Sequence, residues 1–129
     1  MTGRYLLDTN IIIGIFKDDE KVLARLRNAN SIFIPAIALG ELHYGTRKSQ
    51  RVEENLARIE RFLAVNTVLY VDEDTAYWYG IVKEQLRKIG KPIPENDIWI
   101  AAIAMQKSIT LVTRDKHFEV VKSLDTETW

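Results

Sequence analysis

The chain has 129 residues, 47% of them hydrophobic and 28% charged, which is enough for one compact soluble domain, residues 1–129, and too short for two. Its formal net charge is zero, which argues against a nucleic-acid binder whose affinity comes mainly from its overall field. The absence of cysteine excludes disulfides, thiolate zinc sites and cysteine nucleophiles, and it fits a cytoplasmic setting. The apolar run at residues 11–16 ends in charged residues and suits neither a signal peptide nor a membrane span.

Apolar residues in the first half of the chain recur with the periods of alternating strands and helices. Val22 and Leu26 lie at helical spacing after Asp18 or Asp19, either of which suits a helix N-cap. Pro35 suits the first turn of the helix that follows the second strand. In chain order, the predicted elements are a strand at residues 4–7, helices at 9–16 and 18–29, a strand at 31–34, and helices at 35–45 and 52–63.

The second half continues the same alternation. Asp72 places negative charge at the start of a long helix that ends near Gly90, as the helix dipole prefers. The predicted elements are a strand at residues 67–71, helices at 72–90 and 96–107, a strand at 109–112, a short helix at 115–121 and a terminal strand at 124–129. Strands separated by helices imply right-handed parallel crossovers, so we expect an α/β fold with a parallel sheet and helices on both faces.

Four carboxylates lie where apolar stretches would bury them. Asp8 and Asp115 come just after predicted strands, at the sheet edge where ligands of parallel sheets bind. Asp97 opens the very apolar residues 98–105, and Glu41 interrupts an apolar helix. Because an isolated buried carboxylate is costly, a cation is the expected partner, and oxygen ligands favour Mg²⁺ or Mn²⁺.

Each carboxylate also has a structural interpretation. Asp8, Asp97 and Asp115 each stand near the start of a helix and can cap its exposed amides. Glu41 lies in the middle of a helix and has no capping role, so a salt bridge to a lysine or arginine is its alternative. Taken singly, three of the four acids are therefore explained without a metal.

Two basic clusters are candidate contacts for phosphate groups, although solvated helix ends are equally rich in such residues. The clusters comprise Lys83, Arg87, Lys88 and Lys91 beside the loop at residues 90–94, and Arg47, Lys48 and Arg51 beyond the Glu41 helix. His43 and His117 are predicted to be surface or packing residues without a catalytic role.

Four short motifs occur in order over essentially the whole chain. They are Leu6-Leu7-Asp8-Thr9-Asn10, Gly40-Glu41-Leu42-His43-Tyr44-Gly45, Asn96-Asp97-Ile98-Trp99-Ile100-Ala101-Ala102 and Leu111-Val112-Thr113-Arg114-Asp115-Lys116-His117-Phe118. With these motifs at this spacing, the sequence resembles PIN-domain ribonucleases and, more closely, VapC-type toxins.

The resemblance implies a PIN-like fold whose five-stranded parallel sheet gathers Asp8, Glu41, Asp97 and Asp115 at one edge around one or two Mg²⁺ or Mn²⁺ ions. It also implies hydrolysis of RNA by a water that the metal activates, leaving a 5′-phosphate and a 3′-hydroxyl. Thr9, Asn10, Asn96 and Thr113 would support the acids through hydrogen bonds, and Arg114 would join the basic clusters as a possible RNA contact. Asn96 could equally cap its helix.

The resemblance further implies partners. Such toxins form homodimers and are silenced by a VapB-like antitoxin, whose tail covers the acidic groove and often inserts a basic residue. Operator DNA would be bound only through the antitoxin. Apolar surface around residues 32–44 or 77–81 is available for either interface.

Two other functions compete with a ribonuclease. A haloacid-dehalogenase-like phosphatase also places an aspartate after its first strand, but it needs a second acid two residues later, where this chain has Asn10. A catalytically silent PIN-like module would bind RNA or a protein without cleaving it, and the intact set of four acids argues against that alternative.

Overall fold

The computed structural model describes residues 3–129, in which short parallel strands alternate with helices. The strands are β1 (Arg4–Leu7), β2 (Ser31–Pro35), β3 (Thr67–Leu69), β4 (Thr110–Val112) and β5 (Thr126–Glu127). The helices are α1 (Thr9–Phe16), α2 (Glu20–Arg27), α3 (Ala36–Arg47), α4 (Val52–Ala64), α5 (Glu73–Ile89) and α6 (Glu95–Lys107). A 3-10 helix, Lys116–Val120, lies between β4 and β5.

The strands form one parallel sheet in the order β3-β2-β1-β4-β5. The central strand β1 pairs with β2 on one side and with β4 on the other, with Leu7 opposite Val112 in the register of β1 and β4. This sheet confirms the predicted α/β fold with five parallel strands. It also brings the residues that follow β1 and β4 to the same edge, although they are more than 100 positions apart in sequence.

Two apolar cores fill the two faces of the sheet, because successive side chains of a strand point to opposite faces. Leu6 and Leu111 face the core built with α5 and α6, while Leu7 and Val112 face the core built mainly with α1 to α4. Helix α6 is buried along almost its whole length. The prediction of helices on both faces is therefore confirmed, and the loops at the carboxyl edge are held by rigid elements.

Several element boundaries differ from the predictions by a few residues. Pro35 closes β2 and is the N-cap of α3, so it does not lie in the first turn of that helix. Strand β3 ends at Leu69, and the last strand covers only Thr126–Glu127. The Asp19 side chain caps α2 as predicted, and that helix ends at Arg27.

In the part of the chain that is described, the helices lack the combination of length and apolarity needed to cross a membrane.

Candidate active site

Asp8 leaves β1 at the carboxyl edge of the sheet and is the N-cap of α1. It is only 4% exposed, and its Oδ1 accepts a hydrogen bond of 2.8 Å from the Thr9 amide. Its Oδ2 accepts one of 2.8 Å from the Thr113 hydroxyl and one of 3.3 Å from the Asn10 amide group. The capping role is therefore real, and the second oxygen additionally ties α1 to the residue that follows β4.

Hydrogen bonds also join the segments that follow β1 and β4. The Thr113 hydroxyl accepts the amide of Asp115 at 2.9 Å while donating to Asp8. The side-chain oxygen of Asn10 accepts the amide of Arg114 at 3.1 Å. Thr113 and Asn10 thus fix where Asp115 stands relative to Asp8, which is the supporting placement expected of them.

Glu41 is half-buried on α3, and its Oε1 accepts a hydrogen bond of 2.6 Å from the Thr9 hydroxyl. Thr9 therefore contacts two of the acids, through its amide and through its hydroxyl. Among residues 3–129 no lysine or arginine forms an ion pair with Glu41, so the salt-bridge interpretation of this residue is wrong.

Asp97 lies in the first turn of α6, whose N-cap is Pro94. Its side chain is 13% exposed and accepts no helix amide, so the capping interpretation of Asp97 is wrong. Asn96 is exposed, its side chain makes no hydrogen bond within the described residues, and it is not the cap either. The expected support of the acids by Asn96 is therefore absent from this arrangement.

Asp115 is the N-cap of the 3-10 helix, and its Oδ1 accepts the amide of His117 at 2.9 Å. The ring Nδ1 of His117 lies 3.1 Å from that same oxygen and 3.3 Å from Oδ2 of Asp97. Ligand atoms of these three residues all lie within 4.8 Å of one another. Sequence reasoning gave His117 no role at the site, yet its ring stands between two of the candidate acids.

The pKa values of the two most buried acids show that all four charges interact. Burial raises the pKa of Asp8, the hydrogen bonds from Thr113 and Thr9 oppose that rise, and the charges of Glu41 and Asp115 add to it. Burial likewise raises the pKa of Asp97 from 3.8 to about 6, with the charges of Asp8 and Asp115 adding and the contact with His117 opposing. The cluster is therefore short of positive charge.

The carboxylates of this cluster are suitable ligands for a divalent cation. Within residues 3–129 no lysine or arginine is paired with any of the four acids, so no permanent positive charge of the protein is paired with theirs. Carboxylates are suitable ligands for Mg²⁺, Mn²⁺ and related ions. Burial is the main cause of the raised pKa values of Asp8 and Asp97, and repulsion between the acids adds to it; a cation held by Asp97 and Asp115 would offset both.

Several of the predicted basic contacts have protein partners. Lys83 lies 2.9 Å from Glu95, and Arg87 pairs with Glu84 at 2.7 and 2.9 Å. Arg114 contacts Asp19 at 3.0 Å and donates to the main-chain oxygen of Trp129 at 2.9 Å. The Lys48 ammonium lies 4.5 Å from the centroid of the Tyr44 ring. Arg47, Lys88 and Lys91 are exposed.

Residues 5–124 match the family described as the PIN domain. The chain is 41% identical to Ribonuclease VapC2 of Haemophilus influenzae, over 98% of each chain. It is 36% identical to the tRNA(fMet)-specific endonuclease VapC of Shigella flexneri, also over 98% of each chain. One similar solved structure is that of VapBC2 from Rickettsia felis bound to a DNA fragment from its promoter. A chain of that structure matches with a TM-score of 0.89 and 31% sequence identity, and the match covers 100% of this chain and 99% of that chain.

Proposed function

Because the chain belongs to the PIN-domain family and, within it, to the VapC ribonucleases, we propose that it is a metal-dependent endoribonuclease and the toxin of a type II toxin–antitoxin pair. The observation that carries this proposal is the gathering of Asp97, Asp115 and His117 beside buried Asp8, with no lysine or arginine paired to these acids in residues 3–129. The PIN-domain match leaves no reason to retain the phosphatase alternative.

In this proposal Asp8, Glu41, Asp97 and Asp115 hold one or two Mg²⁺ or Mn²⁺ ions. A bound divalent cation supplies Lewis acidity, which activates water and offsets negative charge on the scissile phosphate and the leaving oxygen. Asp97, with its pKa of about 6, is ionised near neutral pH and can bind the cation or accept a hydrogen bond from the attacking water.

Glu41 would orient that water as well as help to hold the cation. Its Oε1 is engaged by the Thr9 hydroxyl, which leaves Oε2 to accept a hydrogen bond. Since the attacking group is water, the ribose 2′-hydroxyl takes no part. The products are therefore a 5′-phosphate and a 3′-hydroxyl.

The contact between Thr9 and Glu41 yields a first testable expectation. Thr9→Val removes the hydroxyl that holds Glu41 while preserving the shape of the side chain, so kcat should fall by about 10-fold. The free energy of unfolding should change by no more than about 1 kcal/mol, because one partly buried hydrogen bond is lost. RNA cleavage rates and urea unfolding curves measure the two effects.

Thr9→Ser is the matched control, because serine retains the hydroxyl and loses only a methyl group. It should cleave RNA within about 3-fold of the wild-type rate, as expected for a retained hydrogen bond. Equal rates for the valine and serine variants would show that Thr9 does not position Glu41.

RNA contacts are assigned to exposed cations near the site. Lys91 lines a surface pocket of about 390 Å³ together with Lys116 and His117, which places positive charge beside Asp97 and Asp115. Lys88 and Arg47 are further exposed candidates, whereas the pairing of Lys83, Arg87 and Arg114 with acids favours structural roles. Phosphate contacts of this kind position RNA without reading its sequence.

A VapB-like antitoxin is the proposed regulatory partner. A groove of about 370 Å³ begins at Glu41 and runs between α1, α3 and α4. Its lining combines four apolar side chains with polar and charged ones that include two cations: Ile13, Phe16, Leu42, Ile59, Thr46, Asn55, Lys17 and Arg58. An apolar antitoxin tail fits such a groove, and a basic residue on the tail would reach the acids. The Rickettsia felis complex is bound to promoter DNA, and we assign operator binding here to the antitoxin.

A homodimer is proposed from the outer face of α5. Tyr77 is 67% exposed and Ile81 41% exposed one helical turn later, and Ile89 is exposed further along. Exposed apolar residues that share a face are typical of interfaces between subunits. Cleavage of cellular RNA would place this enzyme in the cytoplasm.

The proposed activity is tested by incubating the purified chain with total RNA and with transcribed initiator tRNA, the latter because the Shigella flexneri relative is named for it. Each RNA is treated with Mg²⁺, with Mn²⁺ and with EDTA, and the new 5′ ends are sequenced after ligation that requires a 5′-phosphate. We expect cleavage with either metal, none with EDTA, and ligatable 5′ ends.

Three other results of this experiment would each contradict part of the proposed function. Cleavage that persists in EDTA would rule out a metal-dependent reaction. Products with a 5′-hydroxyl would indicate attack by the ribose 2′-oxygen instead of water. If metal-loaded protein binds RNA and cleaves none of the RNA tested, the silent module replaces the ribonuclease.

A further inference from the structure

We propose that His117 is a direct ligand, through Nδ1, of the cation held by Asp97 and Asp115, and that this nitrogen makes the centre prefer Mn²⁺ and Co²⁺ over Mg²⁺. The inference rests on the proposed function, because it takes the acidic edge of the sheet to be the metal centre. It adds to the four carboxylates a ligand of a different chemical class. It also reverses the prediction that His117 is an ordinary surface residue.

The separations between the three side chains match those of neighbouring ligands around one cation. His117 Nδ1 lies 3.1 Å from Asp115 Oδ1 and 3.3 Å from Asp97 Oδ2. Two ligand atoms that are each about 2.1 Å from one cation are about 3.0 Å apart at a right angle and about 3.4 Å apart at the tetrahedral angle. Both observed separations fall within that interval.

Hydrogen bonding alone accounts for only part of this arrangement. A ring nitrogen carries at most one hydrogen, and that hydrogen can point directly at only one acceptor. Here one nitrogen stands nearly equidistant from oxygens of two acids that are 20 and 2 residues away in sequence. A cation between Nδ1 and the two oxygens satisfies all three atoms together.

The 3-10 helix positions His117 beside the acids, and the surroundings of its ring allow the tautomer that metal binding through Nδ1 requires. The His117 amide donates to Asp115, and the next residue, Phe118, is 1% exposed and anchors the 3-10 helix in the core. The side chain of His117 is 53% exposed, and Nε2 has no hydrogen-bond partner within residues 3–129. Nε2 can therefore carry the hydrogen and face water, which leaves the Nδ1 lone pair for a metal.

The hydrogen bonds that Asp8 already accepts limit how many contacts it can make with a cation. Its two oxygens already accept three hydrogen bonds from the protein, from Thr9, Asn10 and Thr113. An ionised carboxylate offers about four acceptor positions, so Asp8 retains about one for a cation. A coordination shell built from Asp97, Asp115 and a single contact from Asp8 is incomplete, and His117 offers a ligand atom within 4.8 Å of those of Asp97 and Asp115.

A nitrogen ligand changes which metal the centre selects. Mg²⁺ strongly prefers oxygen, whereas affinity for nitrogen-containing sites rises from Mn²⁺ to Co²⁺ along the first transition row. If His117 only positioned the carboxylates, its loss would lower the affinity for all divalent cations to a similar extent. Metal preference therefore distinguishes a ligand from a positioning residue.

The test is a titration of metal-free protein with Mg²⁺, Mn²⁺ and Co²⁺ by calorimetry, with the visible absorption of bound Co²⁺ as a second readout. The variants are His117→Asn, which offers an oxygen near the Nδ1 position, and His117→Ala. His43→Gln is the matched control, because His43 is the other of the two histidines and lies on α3. No RNA is present, so the result does not depend on cleavage.

We expect wild type and His43→Gln to bind Mn²⁺ and Co²⁺ at least about 10-fold more tightly than Mg²⁺. His117→Asn should bind Mg²⁺ within about 3-fold of wild type while losing roughly 10- to 100-fold in affinity for Mn²⁺ and Co²⁺, and the Co²⁺ spectrum should change. His117→Ala should also lose affinity for Mn²⁺ and Co²⁺.

Two results would overturn the inference. One is an equal loss for all three metals, or no loss for any, in His117→Asn. The other is a wild type that binds none of them, which would also remove the metal centre from the proposed function. A wild-type protein that shows the expected metal preference but cleaves no RNA would refute the proposed ribonuclease activity. It would still support His117 as a metal ligand.

Discussion

Asp97→Asn should lower kcat for RNA cleavage by about 1,000-fold or more, the largest loss expected for any single substitution in the site. Asp97 is the acid that contacts His117 from α6, and its charge acts on Asp8 as well. Asparagine has nearly the same shape but carries no negative charge, so it weakens the hold on the cation. Single-turnover cleavage at a fixed Mn²⁺ concentration that just saturates the wild type measures the loss of rate.

The same substitution should make the metal-free protein more stable at neutral pH. Burial raises the pKa of the Asp97 carboxyl from 3.8 to about 6 in the folded protein. The stability that this carboxyl contributes in its protonated form is therefore fully present below pH 3.8 and is lost as the pH rises through 6. At pH 7.5 the buried charge therefore opposes folding. The rise from 3.8 to about 6 converts to about 3 kcal/mol, and solvent screening of this partly hydrated carboxylate lowers the gain expected in the free energy of unfolding on its removal to about 2 kcal/mol. Urea unfolding in EDTA should show this gain at pH 7.5 and little of it at pH 4.

Asp125→Asn is the control for both measurements, because Asp125 is exposed and its side chain has no partner within the described residues. It should change neither the cleavage rate nor the unfolding curve appreciably. An Asp97→Asn protein that is less stable than wild type at pH 7.5 would mean that the Asp97 carboxylate has a stabilising partner. Wild-type cleavage by that variant would remove Asp97 from the site.

Phe118→Ala should lower the free energy of unfolding by about 3 to 5 kcal/mol, the largest stability effect expected near the site. Phe118 is 1% exposed and packs in the core between the sheet and helices α5 and α6. It is also the only fully buried residue of the 3-10 helix. Its loss should therefore release His117 and Asp115 as well as create a cavity. Urea unfolding measures the first effect and Mn²⁺ titration the second.

Val120→Ala provides the comparison, since Val120 is half-buried on the same 3-10 helix. It should cost about 1 kcal/mol and leave Mn²⁺ affinity within about 3-fold of wild type. If Phe118→Ala weakened folding while the Mn²⁺ affinity of its folded form stayed at the wild-type value, the anchoring of His117 by this core residue would be disproved.

The fold could be predicted well from the sequence because apolar periodicity and chain order determine a parallel α/β sheet. Boundaries were less predictable because a strand ends where its partner ends. β3 stops at Leu69 since its partner residue Pro35 is the last of β2, after which that chain turns into α3. Tyr70 and Val71 have β propensity but no neighbouring strand to pair with.

Asp8 and Asp115 could be predicted to lie at one edge of the sheet because residues after parallel strands meet there, whatever their separation along the chain. Asn96 was less predictable, since α6 begins at Glu95 after the N-cap Pro94 and turns the Asn96 side chain outward. His117 was missed because the sequence has no suitable pair of histidines and because its position beside Phe118 on a short helix favoured a surface or packing residue. The reach of its ring depends on the tight 3-10 turn, which residue spacing does not specify.

The pairing of β1 with β4 has a consequence for synthesis of the chain. Asp8 emerges among the first residues, but Thr113, which donates to its Oδ2, and Asp115 follow the fourth strand. A growing chain that has not yet exposed residues 110–115 can pair β1 with β2, yet it lacks the strand on the other side of β1 and cannot bring Asp8 and Asp115 together. Nascent chains and fragments that stop before β4 should therefore lack the complete acidic site proposed for catalysis, which forms only when nearly all of these residues have been made.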